Sequence, residues 1–583
     1  MKTRRIDLAD NGAVIATDLA IVGAGPVGLA IAERCERAGI EVLLLESGLE
    51  QQDPAHEALN EIFAAAMDSA DARAEFHGPQ AKLWDPQRQA YGVRCRGLGG
   101  STQAWAGKSA SFDPIDFEPR DWVASSGWPI KLQELAPYIA QAGEMLGLSP
   151  DLPVPAVEAA GLRSFYWQFA GSRVDRLDLM RFGRDLAPGI GEGAQCLLDA
   201  TVTEIGFNEA SGEVSDLHVA SLTGARITVR PRRVVLAASA IENARLMLAS
   251  PCGRAGAALN RYDNVGRYLV DHAGTRLGLI GREDAARMSR LFGFQSLAYG
   301  GRSHMFQHGL ALDPATQRRQ RILNGAVWFA QQRAPDDPWP ALERLLRRRS
   351  AAVGSDFATV LRGSGLVLRG AAVKALASPH MPEAIRRAVI EAAIRILPNA
   401  VADEFQTGGL PHKLSGLSLE AIVETAPRRE NRIDLSDRLD ALGQPLPCAT
   451  WRTGEEEHRT LRVMASSVAE SFAANDWPVP DFEPWIDDVN ATPSIIDCAH
   501  SMGTTRMAST PSEGVVDTDC RVHGAANLFA AGGSVFPTGG HANPTWMYLA
   551  VALRLADHLT SQSACLVNDT RAASARHLEA ITG

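Results

Sequence analysis

Residues 18–46 read DLAIVGAGPVGLAIAERCERAGIEVLLLE, and this stretch decides the fold of the N-terminal part of the chain. An apolar run ends at Val22 and is followed by three glycines at G-x-G-x-x-G spacing. Residues 29–39 carry apolar side chains on one face of a helix and charged side chains on the other. A second apolar run then ends at Glu46. This order of strand, glycine turn, helix, strand and acid predicts one βαβ unit of a parallel sheet.

Each glycine of this turn has a separate task if the turn binds a dinucleotide. Gly23 permits the tight turn, Gly25 lets the backbone approach a pyrophosphate, and Gly28 lets the helix pack closely on the strand. Glu46 lies 18 residues beyond Gly28, where it could accept a hydrogen bond from a ribose hydroxyl. A turn that served only packing would leave this acid unexplained. The stretch therefore predicts a dinucleotide site, and it leaves open whether the nucleotide is NAD or FAD.

The composition is that of a globular protein, with 583 residues of which 45% are hydrophobic and 22% are charged. This length corresponds to about three to four domain-sized units. A formal net charge of −10 argues against nucleic acid as the main partner. The sequence contains no apolar run long enough to span a bilayer. The eight cysteines include no C-x-x-C pair, which argues against a zinc site and a disulfide framework.

The N-terminus bears the pair Arg4-Arg5, as twin-arginine export signals do. However, Asp7, Asp10 and Asp18 interrupt the apolar core that such a signal needs. The apolar run that follows is already required by the glycine turn. The sequence therefore favours a cytoplasmic location.

Two further glycine-rich stretches lie far from the first along the chain. Residues 91–107, YGVRCRGLGGSTQAWAG, would let the backbone lie flat against a large planar ligand, because small residues stand at almost every second place. Residues 498–559 contain CAHSMGTTRM and GGHANPT, and the apolar run after them predicts a helix with Pro544 at its first position. Asn543 and His541 would then lie at a helix N-terminus.

The region from 281 to 494 has a different character. Residues 344–395 are helical in period and rich in arginine. Two interpretations are open for this stretch. It could dock on a membrane surface or a partner, or its arginines could be solvated on helices whose other side packs inward.

At four places the chain resembles the glucose–methanol–choline (GMC) family of flavoenzymes. These places are residues 18–48 with the ending LLLESG, GLGGSTQAWAG at 97–107, NVGRYLVDH at 264–272, and the block from HSMGTTRM to NLFAAGGSVFPTGGHANPT at 500–545. Residues 281–494 resemble the family only weakly. The segments SGWPI and GGHANPT look most like bacterial members that act on sugars and glycosides, near the pyranose oxidases.

The resemblance implies an α/β fold (α+β overall). A Rossmann-like FAD-binding domain is expected together with a discontinuous substrate domain built on a β-sheet flanked by helices. The FAD-binding domain is predicted to comprise residues 1–150, 190–280 and 495–583, of which the last part carries the catalytic residues. Residues 281–494 are predicted to form the substrate-binding domain.

The resemblance also assigns site residues. The family's catalytic pair is a histidine followed about 43 residues later by a histidine or asparagine, and it matches His500 and Asn543. His500 would be the base that removes the hydroxyl proton, and Asn543 would orient the substrate oxygen while a hydride passes to flavin N5. The residues implied to hold FAD are Gly23, Gly25, Gly28, Glu46, Gly99, Gly100, Ser101, Val202, Ala237, Gly533, Asn543 and Pro544.

Two departures from the family pattern and two open assignments complete the expected site. Some relatives attach FAD covalently through a histidine, where this chain has Ala104 before Trp105, which predicts non-covalent FAD. Many members have an aspartate where this chain has Gly532, so one polar contact to the cofactor is in doubt. His541 is either a second donor to the substrate or a support for its loop, and Trp105 either lines the substrate site or packs in the core. No metal site is predicted.

The function that the resemblance implies is oxidation of a hydroxyl of a sugar, glycoside or aminoglycoside-like polyol by an FAD-dependent enzyme. The alternatives are oxidation of a non-sugar alcohol, a flavoprotein subunit of an electron-transfer complex, and a lyase with redox-silent FAD. The electron acceptor is left open among oxygen, a quinone and a protein. A homo-oligomer is compatible with the sequence.

Overall fold

The computed structural model of the chain describes residues 1–65, 70–78, 81, 83–148, 160–174, 178–250, 259–299, 302–376, 382–399, 401–402 and 412–562. Within these residues the strands form three β-sheets. The strands, in chain order, are Lys2–Arg5 (β1), Val14–Val22 (β2), Val42–Leu45 (β3), Phe63–Ala65 (β4), Lys108–Ser109 (β5), Leu162–Phe169 (β6), Ala194–Leu198 (β7), Thr201–Phe207 (β8), Val214–Ala220 (β9), Arg226–Leu236 (β10), His272–Gly281 (β11), Phe294–Tyr299 (β12), Arg302–Leu312 (β13), Gly325–Arg333 (β14), Leu414–Glu424 (β15), Arg432–Leu439 (β16), Pro445–Thr450 (β17), Asp481–Phe482 (β18), Ile496–Asp497 (β19) and Leu528–Ala530 (β20).

The helices are distributed along the whole chain and end with a long one that follows the GGHANPT segment. They are Pro26–Arg37 (α1), Pro54–Glu57 (α2), Ala70–His77 (α3), Leu132–Leu146 (α4), Phe182–Asp185 (α5), Ser239–Ala249 (α6), Arg282–Phe292 (α7), Pro314–Gln320 (α8), Pro338–Leu346 (α9), Val353–Arg362 (α10), Ser364–Leu376 (α11), Glu383–Ile396 (α12), Glu455–Ala474 (α13) and 545–562 (α14).

The first sheet has the strand order β1-β7-β3-β2-β10-β9-β8, with β20 beside β10. Strands β2 and β3 are parallel, with Leu19 opposite Val42, and α1 connects them. All four residues of β3 are buried, as expected for a parallel strand that is covered on both faces. The predicted βαβ unit is therefore confirmed, although β2 begins at Val14, upstream of the predicted apolar run.

The second sheet has the order β18-β11-β15-β14-β13-β6-β5, with β12 beside β13 and β19 beside β11. Neighbouring strands in it are antiparallel. Strands β5 and β6 join it from the N-terminal third of the chain, and a small third sheet has the order β16-β17-β4. A Rossmann-like sheet beside a second sheet built from distant segments is the predicted fold class, which is confirmed. The boundaries of the domains stay a prediction.

Each large sheet has its own apolar core. The first sheet and α14 share a core that includes Ile21, Val235 and Leu555, all with no exposed surface. The second sheet packs on α13 through residues such as Leu419 and Phe472. Burial of one such side chain stabilises the fold by roughly 1.5–3 kcal/mol. The two cores hold the sheets rigid, and the loops that carry the polar site residues lie at the edges of the sheets.

The arginine-rich stretch forms helices α9 to α12, as its period predicts. Large apolar side chains on these helices lie in solvent, since Phe357 is 63% exposed and Leu361 is 64% exposed. One interpretation of this stretch was that the apolar sides of its helices pack inward. That interpretation is wrong for Phe357 and Leu361, because both side chains lie in solvent. In the part of the chain that the structure describes, no helix combines the length and the apolar character needed to cross a bilayer.

Candidate active site

A cavity of about 550 Å³ is lined by residues of both large sheets. At one end it reaches the glycine turn after β2 and Glu46 after β3. At the other end it reaches Trp328 on β14, with His500 and Asn543 on two loops. Ligand sites of doubly wound sheets lie outside the carboxyl ends of the strands, which is where the glycine turn and Glu46 lie here. One cavity therefore joins the predicted cofactor residues to the predicted catalytic pair.

The glycine turn leads directly into α1. Gly25 is the N-cap residue, and within the described chain no side chain caps the first turn of the helix. The backbone N–H groups of that turn are thus available to an anion. A Cβ atom at Gly28 would lie 2.0 Å from the Gly23 carbonyl oxygen, whereas at Gly25 the nearest atom would be the Cα of Gly100 at 3.9 Å. Gly28 is required by the packing of the fold, and Gly25 keeps open the space beside the helix N-terminus.

The glycine-rich loop 97–101 lies against this turn. The Gly99 N–H donates to the carbonyl oxygen of Ala24 over 2.8 Å. The Glu46 carboxylate accepts from the N–H groups of Ala24 at 2.9 Å, Gly48 at 2.9 Å and Gly97 at 3.0 Å. Burial raises the pKa of Glu46, and these bonds act in the opposite direction. Glu46 therefore ties three backbone segments together at the end of β3, in addition to facing the cavity.

Most of the predicted cofactor residues come together around the cavity. Most of the residues that line it are glycine, serine or small apolar residues from several separate segments, and together they leave room for a flat ligand. Those that line it are Gly23, Gly25, Glu46, Gly100, Ser101, Val202, Ala237, Gly533 and Asn543, along with Ala104 and Gly532. Three predicted cofactor residues do not line the cavity: Gly28, Gly99 and Pro544. The free helix N-terminus, the acid after β3 and the open space at Gly25 fit a dinucleotide such as FAD.

A pair of alanine substitutions separates the two tasks of the glycines. In Gly28→Ala, the methyl group must displace the Gly23 carbonyl, and we expect the free energy of unfolding to fall by about 2 kcal/mol or more. In Gly25→Ala, the backbone (φ −76°) accepts alanine, and we expect unchanged stability with at least about tenfold weaker FAD binding. Chemical denaturation and the flavin content of the purified proteins measure the two effects. Equal flavin binding by Gly25→Ala and the wild type would contradict this assignment.

His500 lies on a strained loop that a buried carboxylate holds in place. The preceding residue, Ala499, has φ +58°, a left-handed conformation that alanine rarely adopts. The Asp271 carboxylate accepts from the N–H groups of Cys498 at 3.2 Å, His500 at 3.0 Å and His272 at 2.7 Å. Because Asp271 binds the backbone on both sides of Ala499, it offsets the cost of that conformation and fixes the direction of the His500 side chain.

The protonation pattern of His500 follows from its neighbour His272. Burial lowers the pKa of His272 to about 4, so its ring is neutral near pH 7. Its Nε2 lies 3.1 Å from the carbonyl oxygen of Gly539 and must donate to it. Its Nδ1 therefore has only a lone pair, and it accepts from the Nδ1–H of His500 over 2.9 Å. The Nε2 of His500 is thus left unprotonated, 3.2 Å from the Asn543 amide nitrogen.

The surroundings of His500 keep it neutral. Burial lowers the pKa of His500 well below its ordinary value, and His272 and Lys108 act in the same direction. The Lys108 ammonium lies 3.9 Å from the ring centroid of Trp167 and 4.2 Å from that of Trp328. Burial lowers the pKa of Lys108 to about 7, while these aromatic faces favour its cationic form. The result is a neutral imidazole whose unprotonated Nε2 accepts from the Asn543 amide, which suits a general base.

The two predicted substrate residues occupy different environments. Trp105 lines the cavity, and its Nε1 donates to the carbonyl oxygen of Met180. His541 is fully buried, with its ring packed on Phe165 at 4.7 Å between centroids and its Nδ1 3.8 Å from an Asp113 oxygen. Among the described residues that line the cavity, His541 is not present. Substrate contact by either residue stays a prediction.

Sequence reasoning missed two residues of this site, and it gave a third only a structural role. Lys108 follows the GGSTQAWAG segment directly, so its place beside a planar ligand loop was a usable signal. Trp328 had no signal, because it lies in the region that resembles the family weakly. His272 closes the NVGRYLVDH segment, but nothing in the sequence pairs it with a histidine 228 residues away.

Comparison with known proteins agrees with this geometry. Residues 427–552 match the family model described as GMC oxidoreductase. The chain is 24% identical to 2-methyl-1,2-propanediol dehydrogenase of Mycolicibacterium austroafricanum, over 95% of this chain and 96% of that protein. It is also 24% identical to paromamine 6'-oxidase of Streptomyces fradiae, over 92% of this chain and 90% of that protein.

A solved structure shows the same fold. The crystal structure of pyridoxine 4-oxidase from Mesorbium loti aligns with 93% of this chain and 99% of its own, with a TM-score of 0.52 and 16% identity. The family model covers the loops that carry His500 and Asn543, and the named relatives span nearly the whole chain. The resemblance seen in the sequence is confirmed: the C-terminal part of the chain matches the GMC oxidoreductase model, and named oxidoreductases are similar to it over nearly its whole length.

Proposed function

We propose that this protein is an FAD-dependent oxidoreductase that converts a hydroxyl of a sugar, glycoside or aminoglycoside-like polyol into a carbonyl. The observation that carries the proposal is the unprotonated Nε2 of His500, which faces the cavity beside Asn543. The similarity to a protein named paromamine 6'-oxidase supports the substrate class.

The side chains of this site divide the work on the substrate hydroxyl. FAD, when bound, would accept a hydride from the substrate carbon. The Nε2 of His500 takes the hydroxyl proton, and the Asn543 amide, whose nitrogen lies 3.2 Å from that Nε2, would donate a hydrogen bond to the substrate oxygen. Asp271 and His272 are positioning residues, because they hold the loop and the tautomer of His500. The charge of Lys108 favours the neutral form of His500 before the proton is taken.

The cofactor would be held by the residues around the other end of the cavity. The N–H groups at the start of α1 and the space beside Gly25 suit the pyrophosphate, and the remaining lone pair on Oε2 of Glu46 suits a ribose hydroxyl. Gly100 and Ser101 on the loop 97–101 would lie along the cofactor. Ala104 lines the cavity with a methyl group that cannot form a bond to flavin, so we propose non-covalent FAD.

Anaerobic bleaching of the flavin tests the proposal. The holoprotein is mixed with pyranoses, glycosides, aminoglycosides and simple alcohols, while the absorbance of oxidised flavin is followed. Bleaching by one sugar class is the expected result. A yellow protein that no alcohol bleaches would overturn the proposed reaction, and a protein that cannot be reconstituted with FAD would overturn the proposed cofactor.

A second candidate function is oxidation of a non-sugar alcohol. The end of the cavity near His500 includes the aromatic residues Phe169, Phe294 and Trp328, which suit an apolar substrate. The diol named for the propanediol dehydrogenase points the same way. The same panel separates the two candidates, because faster bleaching by aliphatic or aryl alcohols than by sugars would favour the second.

The electron acceptor, location and assembly complete the proposal. Admission of oxygen after bleaching distinguishes an oxidase, which regains its colour at once, from a dehydrogenase that needs a quinone or a protein.

We place the enzyme in the cytoplasm and expect it to act as a homo-oligomer or a monomer on a small-molecule substrate.

The rate of flavin reduction should depend weakly on pH near neutrality. His500 works as a base only when it is deprotonated, and its pKa lies well below the ordinary value of 6.5. The deprotonated fraction at pH 6 is therefore larger than that of an ordinary histidine, and the fall in rate should be shifted to more acidic pH. An unperturbed histidine would lose about half of the rate near pH 6.5. Stopped-flow measurement of flavin reduction between about pH 5 and pH 8 checks this, and a midpoint at 6.5 would disprove it.

A further inference from the structure

Helices α9, α10 and α11, residues 338–376, form a surface that we call the basic helical face. These helices pack chiefly against one another. Along α10, Val353, Phe357 and Leu361 follow one another at intervals of four residues and share one side of the helix. Each of them is between 62% and 64% exposed, so a continuous apolar stripe lies in solvent.

Two further large apolar side chains, on the neighbouring helices, also lie in solvent. Leu346 at the end of α9 is 75% exposed, and Leu368 on α11 is 71% exposed. Single exposed leucines are common on protein surfaces, but the three large apolar residues along one side of α10 form a patch, and two more are exposed on the adjoining helices. Patches of this kind mark sites where a protein meets a membrane or another protein.

The charge of the basic helical face is opposite to that of the whole protein. Residues 338–376 contain seven basic and two acidic side chains, a net charge of +5, whereas the complete chain carries −10. Both acids already have arginine partners within the face, since Asp356 pairs with Arg344 and Glu343 pairs with Arg347. The remaining basic side chains on these helices are Arg348, Arg349, Arg362, Arg369 and Lys374.

This charge decides between the two occupants that could cover an apolar stripe. A second copy of the chain, joined through the same face, would bring +5 against +5 and oppose association. A bilayer with anionic lipids offers negative headgroups to the arginines and acyl chains to the apolar stripe. Helix α10 has ten residues and is about 15 Å long, half of a bilayer core of about 30 Å. It can lie along a membrane surface but cannot cross it.

We infer that the basic helical face binds the surface of membranes that contain anionic lipids, with Val353, Phe357 and Leu361 inserted at the headgroup boundary. The protein would then reach its substrate or its electron acceptor as a peripheral membrane protein. This inference is independent of the reaction at His500.

Vesicle sedimentation of the full-length holoprotein tests the inference. The vesicles consist of phosphatidylcholine alone or with about 30% phosphatidylglycerol. We expect binding to the anionic vesicles at low salt, with at least about tenfold weaker binding to the neutral ones. Added salt should weaken the binding, because the arginine contribution is screened within about 10 Å at 0.1 M.

Two double variants identify the residues responsible. Phe357→Ser with Leu361→Ser removes the centre of the stripe, and Arg348→Gln with Arg349→Gln removes two charges. Each should weaken binding to anionic vesicles by about tenfold or more. The matched control is Leu439→Ser, because Leu439 is a 60% exposed apolar residue on β16, outside the face. All of these side chains are exposed, so flavin content and melting temperature should stay at the wild-type values.

Three results would overturn the inference. The first is absence of binding to either kind of vesicle, and the second is binding that the two double variants leave unchanged. The third is a dimer in sedimentation-velocity experiments that the Phe357→Ser and Leu361→Ser variant dissociates, which would make the stripe an interface between copies.

Discussion

Replacement of His500 by alanine should slow flavin reduction by about two to four orders of magnitude, the usual contribution of a general base. The folded protein and its FAD should be retained, because the loop is held by backbone bonds to Asp271 that alanine also makes. Stopped-flow reduction by the best substrate of the panel measures the loss. The main effect should appear in the limiting rate, since His500 acts on the proton that moves during the reaction.

The matched control for this substitution is His218→Ala. His218 is an exposed histidine on β9, remote from His500 and Asn543 in sequence, and its loss should leave the rate unchanged. If the His500→Ala protein keeps its flavin and reduces it at the wild-type rate, His500 is not the base.

Replacement of His272 by phenylalanine should slow flavin reduction by about one to two orders of magnitude, although His272 is placed behind His500. Phenylalanine removes the acceptor that holds the proton on Nδ1 of His500, so the opposite tautomer becomes accessible. His272→Gln keeps a carbonyl acceptor for His500 and an amide donor for Gly539, and it should recover most of the rate.

The pH profile distinguishes this positioning role from a loss of packing. His272 contributes to the lowered pKa of His500, so its removal should raise that pKa. The acid limb of the rate profile should therefore move to higher pH in His272→Phe. A uniform loss of rate with an unmoved acid limb, and no recovery in His272→Gln, would contradict the proposed tautomer.

The cofactor end of the site was accessible to reasoning from the sequence because its residues are close together in the chain. Gly23, Gly28 and Glu46 belong to one βαβ unit, in which local spacing alone sets the distances between the turn, the helix and the acid. The position of Asn543 before α14 was likewise readable, since proline and an apolar run mark the start of a helix.

The surroundings of the predicted catalytic pair, His500 and Asn543, could not be read from the sequence in this way. His272 and His500 are in contact in the fold, although they are 228 positions apart in the sequence. They meet because His272 lies on β11 and His500 lies on the loop after β19. The placement of Lys108 between Trp167 and Trp328 likewise depends on the pairing of β5 with β6 and on β14 in the same sheet. Sheet register determines such contacts, and register depends on distant strands.

The dinucleotide fold and the resemblance to GMC oxidoreductases could be read from the amino-acid sequence, because each rests on short-range spacing or on a continuous motif. The pair His500 and Asn543 was predicted on the same basis. Only the tertiary structure decided which nitrogen of His500 carries its proton and which side of α10 faces solvent. A tautomer depends on the partners around a ring, and the exposure of a helix face depends on what packs against it. Both are set by contacts between segments that are distant in the chain, which local spacing does not encode.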